Sequence, residues 1–405
     1  MSKSRRFVLL SSLFLPAFLA LGSLTLQAEE APSATTDAKI VAPVLQPFVD
    51  SHTLAGAVTL VADKEKILSL EAVGFSDIAA NKAMKTDDLF WIASMSKPVT
   101  AAAFMMLVDE GKVKVDDPVE KYLPEFKGVM VLVEKDNDHI LLKKPKQQLL
   151  IRHVLSHTGG LMPRSPLEHK IDTISLKENV LSYPLIPLRF EPGSKYEYSN
   201  AGINTAGRII EVVTGWTFEE FLQKRLFEPL GMKDTTFWPD EEQIKRVAKS
   251  YRPNKEKTGL EEITVDQLTY PLTDKKRGPC PAGGLFSTAK DMALFGQMIL
   301  NNGELNGKRY ISNASVKQMT SHQTGEAVFD KNPNGSYGFG WSTQKAPQPG
   351  RESFGHGGAY STNLTVDPGR KLVTVYMVQH AGYPNDGGKT VQSAFNKVVA
   401  EKFGK

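Results

Sequence analysis

Strand-forming patterns cluster near the two ends of this 405-residue chain, each beside a helical pattern, and the middle is mainly helical. Near the start, 38–51 has apolar spacing suited to a helix, and 55–62 and 66–73 are apolar or alternating runs joined by a turn, which reads as a hairpin. Near the end, 361–366 and 371–378 are β-rich on either side of the turn Asp367-Pro368-Gly369. The segment 390–403 then sets Val391, Phe395, Val398, Val399 and Phe403 on one side of a closing helix. Apolar faces must be buried against other elements, so the economical arrangement is one antiparallel sheet drawn from both chain ends. The expected class is α+β: a sheet flanked by helices, formed by 38–90 and 335–405, with a mainly helical lobe at roughly 91–334 inserted between them.

Within that middle, Pro98 near the start, an Ala-, Met- and Leu-rich body over 101–110 and Gly111 at the end predict a strong helix. Segments 149–156, 201–214, 218–225, 288–301 and 312–318 also read as helices. The Lys-rich 127–146 reads as a hairpin or loop, and 238–282 is polar and poorly periodic. The first 28 residues combine Lys3, Arg5 and Arg6 with an uncharged, mostly apolar run from 7 to 26, the pattern of an export signal cleaved after Ala28. That run approaches the roughly 20 residues that span a bilayer, so an uncleaved membrane anchor is the alternative. Residues 29–37 read as a flexible lead-in to a domain over 38–405, and the expected location is periplasmic or secreted. Of the net charge of +4, the signal supplies three, and the remainder gives no reason to expect a nucleic-acid partner. The lone Cys280 excludes an internal disulfide and a cysteine-rich metal site.

The sequence contains no G-x-S-x-G, no H-E-x-x-H, no phosphate loop and no dinucleotide fingerprint. His153 and His157 stand four apart on an expected helix, but no third ligand accompanies them. They read as residues that pack or cap around Gly159-Gly160, and no metal or cofactor is expected. The spacing S-x-x-K occurs at Ser94/Lys97, Ser287/Lys290 and Ser342/Lys345. On a helix these positions share a face, so the amine can approach the hydroxyl and accept its proton or stabilise the alkoxide. Only Ser94 stands at the start of a long apolar helix; it either caps that helix or serves as a nucleophile. Ser287-Thr288 with Asp291 reads as a capping box, and Ser342 reads as strand or turn, where the two side chains diverge. Tyr198-Ser199-Asn200 opens a further helix, whereas Tyr383-Pro384-Asn385 lies in a Gly-rich loop. A phenol needs a cationic neighbour to act as a base near neutrality, and Lys97 is a candidate for that neighbour.

Together the stretches F-W-I-A-S-M-S-K-P-V-T-A, L-L-I-R-H-V-L-S-H-T-G-G-L, F-E-P-G-S-K-Y-E-Y-S-N-A-G, P-A-G-G-L-F-S-T-A-K-D-M-A and F-G-H-G-G-A-Y-S-T resemble the serine β-lactamase and penicillin-binding-protein superfamily. The similarity is to its class C-like branch, which includes esterases and D-amino-acid peptidases, and it spans 38–403. The resemblance implies a β-lactamase/transpeptidase-like fold. It implies Ser94 as acyl-accepting nucleophile, Lys97 as its activating partner, Tyr198 as general acid/base and Asn200 as a polar partner for Lys97 or substrate. The family's third motif is usually K-T-G. The literal copy Lys257-Thr258-Gly259 lies in a charged, non-periodic stretch, so His356-Gly357-Gly358 is the matching position. The same order implies an oxyanion hole from the Ser94 and Ala359 N–H groups.

In the family that third-motif Lys helps to bind a substrate carboxylate. Histidine there is mostly neutral near pH 7, which favours neutral substrates. The resemblance therefore implies an exported serine hydrolase, foremost a carboxylesterase on small esters. The alternatives are a class C-like β-lactamase or D-alanyl-D-alanine carboxypeptidase, and a non-catalytic penicillin-binding module. The partner is a small-molecule ester, lactam or peptide, with membrane contact only if the N-terminal segment is retained.

Overall fold

The computed structural model describes residues 39–325, 335–344 and 353–404. The expected signal over 1–28 and lead-in over 29–37 lie outside the described residues, as does Lys345 of the third S-x-x-K pair. The two chain ends do build one sheet. Its eight strands run in the order Gly335–Tyr337, Ser342–Gln344, Phe354–Gly357, Asn363–Asp367, Leu372–Met377, Gly56–Ala62, Ile67–Asp77 and Lys82–Ala83, every neighbour antiparallel.

The central pair explains the arrangement. Gly56–Ala62 and Leu372–Met377 carry apolar residues on both faces, so both must be covered. Successive side chains of a strand alternate between faces. Val58, Leu60, Val373, Val375 and Met377 therefore join the main core, against which the helix Ala289–Leu300 packs. Ala57, Val61, Leu372 and Tyr376 join a second cluster with Val41, Leu45, Val391, Phe395, Val398 and Val399 from the helices Ala42–Asp50 and Gly387–Phe403. A Cβ on Gly296 would come within 2.5 Å of Val373, so glycine lets the covering helix approach the strand. The N-terminus of Ala42–Asp50 is capped from the sheet: the Glu71 carboxylate accepts the N–H groups of Ile40, Val41 and Ala42.

Helices dominate the regular structure of the chain between these strands, with Ser96–Asp109 as its buried axis. Among the described residues it also holds three hairpins, Val131–Lys135 with Ile140–Lys143, Ser250–Pro253 with Leu260–Ile263 and Glu304–Leu305 with Lys308–Arg309. Phe90–Trp91 forms a short ladder with Phe286–Ser287 just before Ser94. The poorly periodic 238–282 is anchored by core residues such as Val265, Leu268 and Leu272 and by a buried ion pair. Arg277 pairs with Asp172 at 2.8 Å and donates to the Phe237 and Leu272 carbonyls, while Asp172 also accepts from Thr269. Both side chains of the pair are at most 3% exposed, so removing one partner leaves a buried charge unpaired. Arg277→Ala is expected to lower the unfolding free energy by about 3–5 kcal/mol, read as a lower urea midpoint at unchanged slope.

Three local expectations change. The helix expected over 149–156 ends at Leu155, because His157 adopts a left-handed φ of 60°; the two histidines therefore do not share a helix face. Thr288 caps its helix through the Asp291 N–H, but the Asp291 carboxylate turns to Asp234 and Thr235, so the box is not reciprocal. Ser94 lies not in the helix itself but in the 3-10 turn Ala93–Met95 that precedes it.

Candidate active site

The turn that carries Ser94 is strained and heavily tied. Ala93 has φ 45°, a region that costs an L-residue energy and persists only when its surroundings enforce it. Ile92 donates to the Leu285 carbonyl, Ser96 Oγ donates to Ala93 O, and Leu285 N–H donates to Ser96 Oγ. Lys97 follows in the first turn of the helix, three residues after Ser94, a spacing that sets both side chains on one face. Lys97 is fully buried, while Ser94 remains partly open.

Lys97 Nζ lies 3.0 Å from Ser94 Oγ, 2.9 Å from Asn200 Oδ1 and 2.7 Å from the Ala282 carbonyl oxygen. The last two groups can only accept. A neutral amine has two N–H bonds and one lone pair, so once both hydrogens are given to Asn200 and Ala282 the lone pair faces Ser94 Oγ. Burial pulls the Lys97 pKa down to about 7, which makes that neutral form accessible near neutrality. The nearby Cys280 thiol opposes this only when ionised, and burial pushes its own pKa up to about 12. The Ala282 carbonyl is fixed in turn, since Asn204 Oδ1 accepts the Ala282 N–H and Thr100 Oγ1 donates to Pro281 O.

Tyr198 covers the other side of the pair, with Lys97 Nζ 4.6 Å from its ring centroid. The residue is 38% exposed, yet burial of its phenol end drives the hydroxyl pKa well above the usual tyrosine range, with the Ser94 hydroxyl opposing weakly. The phenol is thus protonated near neutrality and suited to donating a proton rather than starting as a phenolate.

The strand Phe354–Gly357 packs against the 3-10 turn. Its end is stitched there by Thr362, whose Oγ1 donates to Ile92 O and whose carbonyl accepts the Gly358 N–H. A Cβ on Gly358 would meet Thr362 Oγ1 at 2.1 Å and Ile92 O at 2.5 Å, so only glycine fits. The turn that follows begins at Ala359 and, like Gly357, Ala359 is exposed. His356 is buried and neutral: its Nδ1–H donates to Gly357 O, and its Nε2 accepts from Tyr337 OH at 2.8 Å. Burial and the neighbouring Lys97 charge lower its pKa to about 3. Ser94, Lys97, Tyr198 and Asn200 are thus brought together, with His356 6.1 Å from Tyr198 between ring centroids. Lys257-Thr258-Gly259 lies instead at the turn of a hairpin, near His52. Sequence reasoning gave no site role to Tyr337, Asn204 or the Ala282 carbonyl; the aromatic Tyr337 in a glycine-flanked strand was the available signal.

The family model described as Beta-lactamase matches residues 41–395. The chain belongs to the Beta-lactamase family. With that membership the protein is a serine hydrolase. An uncharacterized protein of Mycobacterium tuberculosis (strain CDC 1551 / Oshkosh) is 31% identical over 358 residues, 82% of this chain and 87% of its own. Esterase EstB of Burkholderia gladioli is 34% identical over 197 residues, 45% of this chain and 47% of its own. Among solved Beta-lactamase-like structures, EstCE1, a hydrolase with promiscuous acyltransferase activity, superposes with a TM-score of 0.74 at 22% identity, covering 88% of this chain and 97% of that one. That likeness supports the fold alone.

Proposed function

We propose that the protein is an exported carboxylesterase working through an acyl-enzyme on Ser94. The observation that carries the substrate choice is His356: held between Tyr337 OH and Gly357 O, it places a neutral group where the family's usual motif has a cation. A substrate carboxylate gains no fixed counter-charge from this position, whereas an uncharged ester needs none. The partial match to an esterase of Burkholderia gladioli supports the same reading.

The steps follow from the side chains. Ser94 Oγ attacks the ester carbonyl carbon while its proton passes to the Lys97 lone pair. The carbonyl oxygen becomes an oxyanion and accepts the Ser94 and Ala359 N–H groups, which together supply a few kcal/mol of transition-state stabilisation. The C–O bond then breaks, and the departing alkoxide takes the Tyr198 proton, which the Lys97 ammonium replaces. Water attacks the acyl carbon, gives a proton back through Tyr198 and Lys97, and frees Ser94 with release of the acid.

Parallel assays with a short p-nitrophenyl ester, nitrocefin and a peptide ending in D-Ala-D-Ala test this reading. Ester turnover well above that of the other two is expected. Fast nitrocefin cleavage or D-alanine release without ester cleavage overturns the esterase choice and leaves the Ser94 chemistry standing. A folded protein that forms no covalent adduct with a fluorophosphonate overturns both.

A further inference from the structure

The segment that delivers Tyr198 has little regular structure of its own, since 189–199 precedes the helix Asn200–Thr214 as turns and extended chain. It is laid instead along the turn at 157–160. Arg189 N–H donates to Gly160 O, Gly193 N–H to Thr158 O, and Glu197 N–H to His157 O. Ser199 N–H then donates to the His157 ring at Nδ1, 3.2 Å away. His157 therefore takes the backbone on both sides of Tyr198, once with its carbonyl and once with its ring. Its imidazole also lies 4.5 Å from the Tyr198 ring and 4.5 Å from the Tyr337 ring, between centroids.

The chemistry of the imidazole fits a fixed brace. Accepting at Nδ1 places the proton on Nε2, and among the described residues that buried nitrogen has no hydrogen-bond partner. Burial, with the Lys97 charge adding to it, holds the ring's pKa well below the usual imidazole range and so keeps it neutral. His157 is 2% exposed and closed off from solvent, so it supports Tyr198 from behind.

We propose that His157 is the positioning residue for Tyr198, setting the phenol over Ser94 through two backbone hydrogen bonds and one ring contact. The inference rests on the reading of Tyr198 as the proton carrier. Proton transfer needs heavy atoms about 2.6–3.2 Å apart, and a displacement of about 1 Å can cost a hundredfold in rate. A buried histidine with a purely structural role lowers stability without acting through Tyr198.

A double-mutant cycle on ester hydrolysis separates these. His157→Ala removes the ring and its acceptor; the expected fall in kcat is about ten- to a hundredfold with KM little changed. In a Tyr198→Phe background the same change is expected to cost about threefold or less, because the group it positions is already gone. His157→Asn keeps an acceptor near the Nδ1 position and tolerates the left-handed backbone, so it is expected to recover part of the loss. If His157→Ala does not fold, as seen by circular dichroism, His157→Asn carries the cycle alone. Equal losses in both backgrounds, or full activity of the folded His157 variants while Tyr198→Phe is impaired, overturn the inference. Full activity of Tyr198→Phe overturns the underlying reading instead.

Discussion

Ser94→Ala is expected to lower ester turnover at least about a thousandfold and to abolish labelling by a fluorophosphonate, while leaving the melting temperature nearly unchanged. The oxygen removed is the one that bonds to the acyl carbon in the proposed scheme, and no neighbouring group replaces it. Cys280 is buried and its thiol pKa is pushed up to about 12, so it supplies no thiolate in place of Ser94. The two N–H donors survive in the variant, so a small residual rate over water remains consistent with the scheme. Stability is little affected because Ser94 is partly open and its hydroxyl caps no helix. Intact-protein mass after incubation with the probe and steady-state rates read the two outcomes. A labelled, active Ser94→Ala protein removes the proposed mechanism.

The second large effect concerns Lys97. In the wild-type protein, kcat/KM for the ester is expected to rise with pH through a midpoint near 7 and then level off. The sign follows from burial, which depresses the Lys97 pKa to about 7: below it the amine is protonated and has no lone pair for the Ser94 proton, and above it the base is free. His356, already lowered to about 3, contributes no step in this range. Lys97→Ala is expected to lower kcat/KM by about a hundred- to ten-thousandfold and to erase the midpoint near 7. Stopped-flow acylation rates from pH 5 to 9 measure both. A wild-type rate that falls as pH rises through 7 assigns activity to the ammonium form and overturns the role of Lys97 as base.

How far the sequence disclosed these features depends on the distance over which each one is encoded. Ser94 and Lys97 are three residues apart on one stretch of helix-forming chain, so their proximity was legible before any tertiary contact was known. The apolar runs at 55–62 and 371–378 likewise pointed to one sheet drawn from both chain ends. The surroundings of His356 were not legible, because Tyr337 reaches it through the arrangement of edge strands rather than through local spacing. His157 was misread for a related reason. Periodicity continued the helix past Leu155, but bonds from Glu197 and Ser199 hold that position in the left-handed conformation, and they come from forty residues downstream. The Asp291 carboxylate was drawn from its own helix end to Asp234 and Thr235 by the same kind of long-range partner.

The pairing of Val58 with Met377 has a consequence for biosynthesis. The strand Gly56–Ala62 contains no charge and no proline, yet its two sheet partners become available at very different times. Ile67–Asp77 follows at once, whereas Leu372–Met377 is synthesised only after the whole helical lobe between them. Until then one long edge of that apolar hairpin stays open, the condition under which strands pair with the wrong chain. The sheet therefore stays open until that strand is made, and a chain truncated before residue 372 keeps a permanently sticky edge.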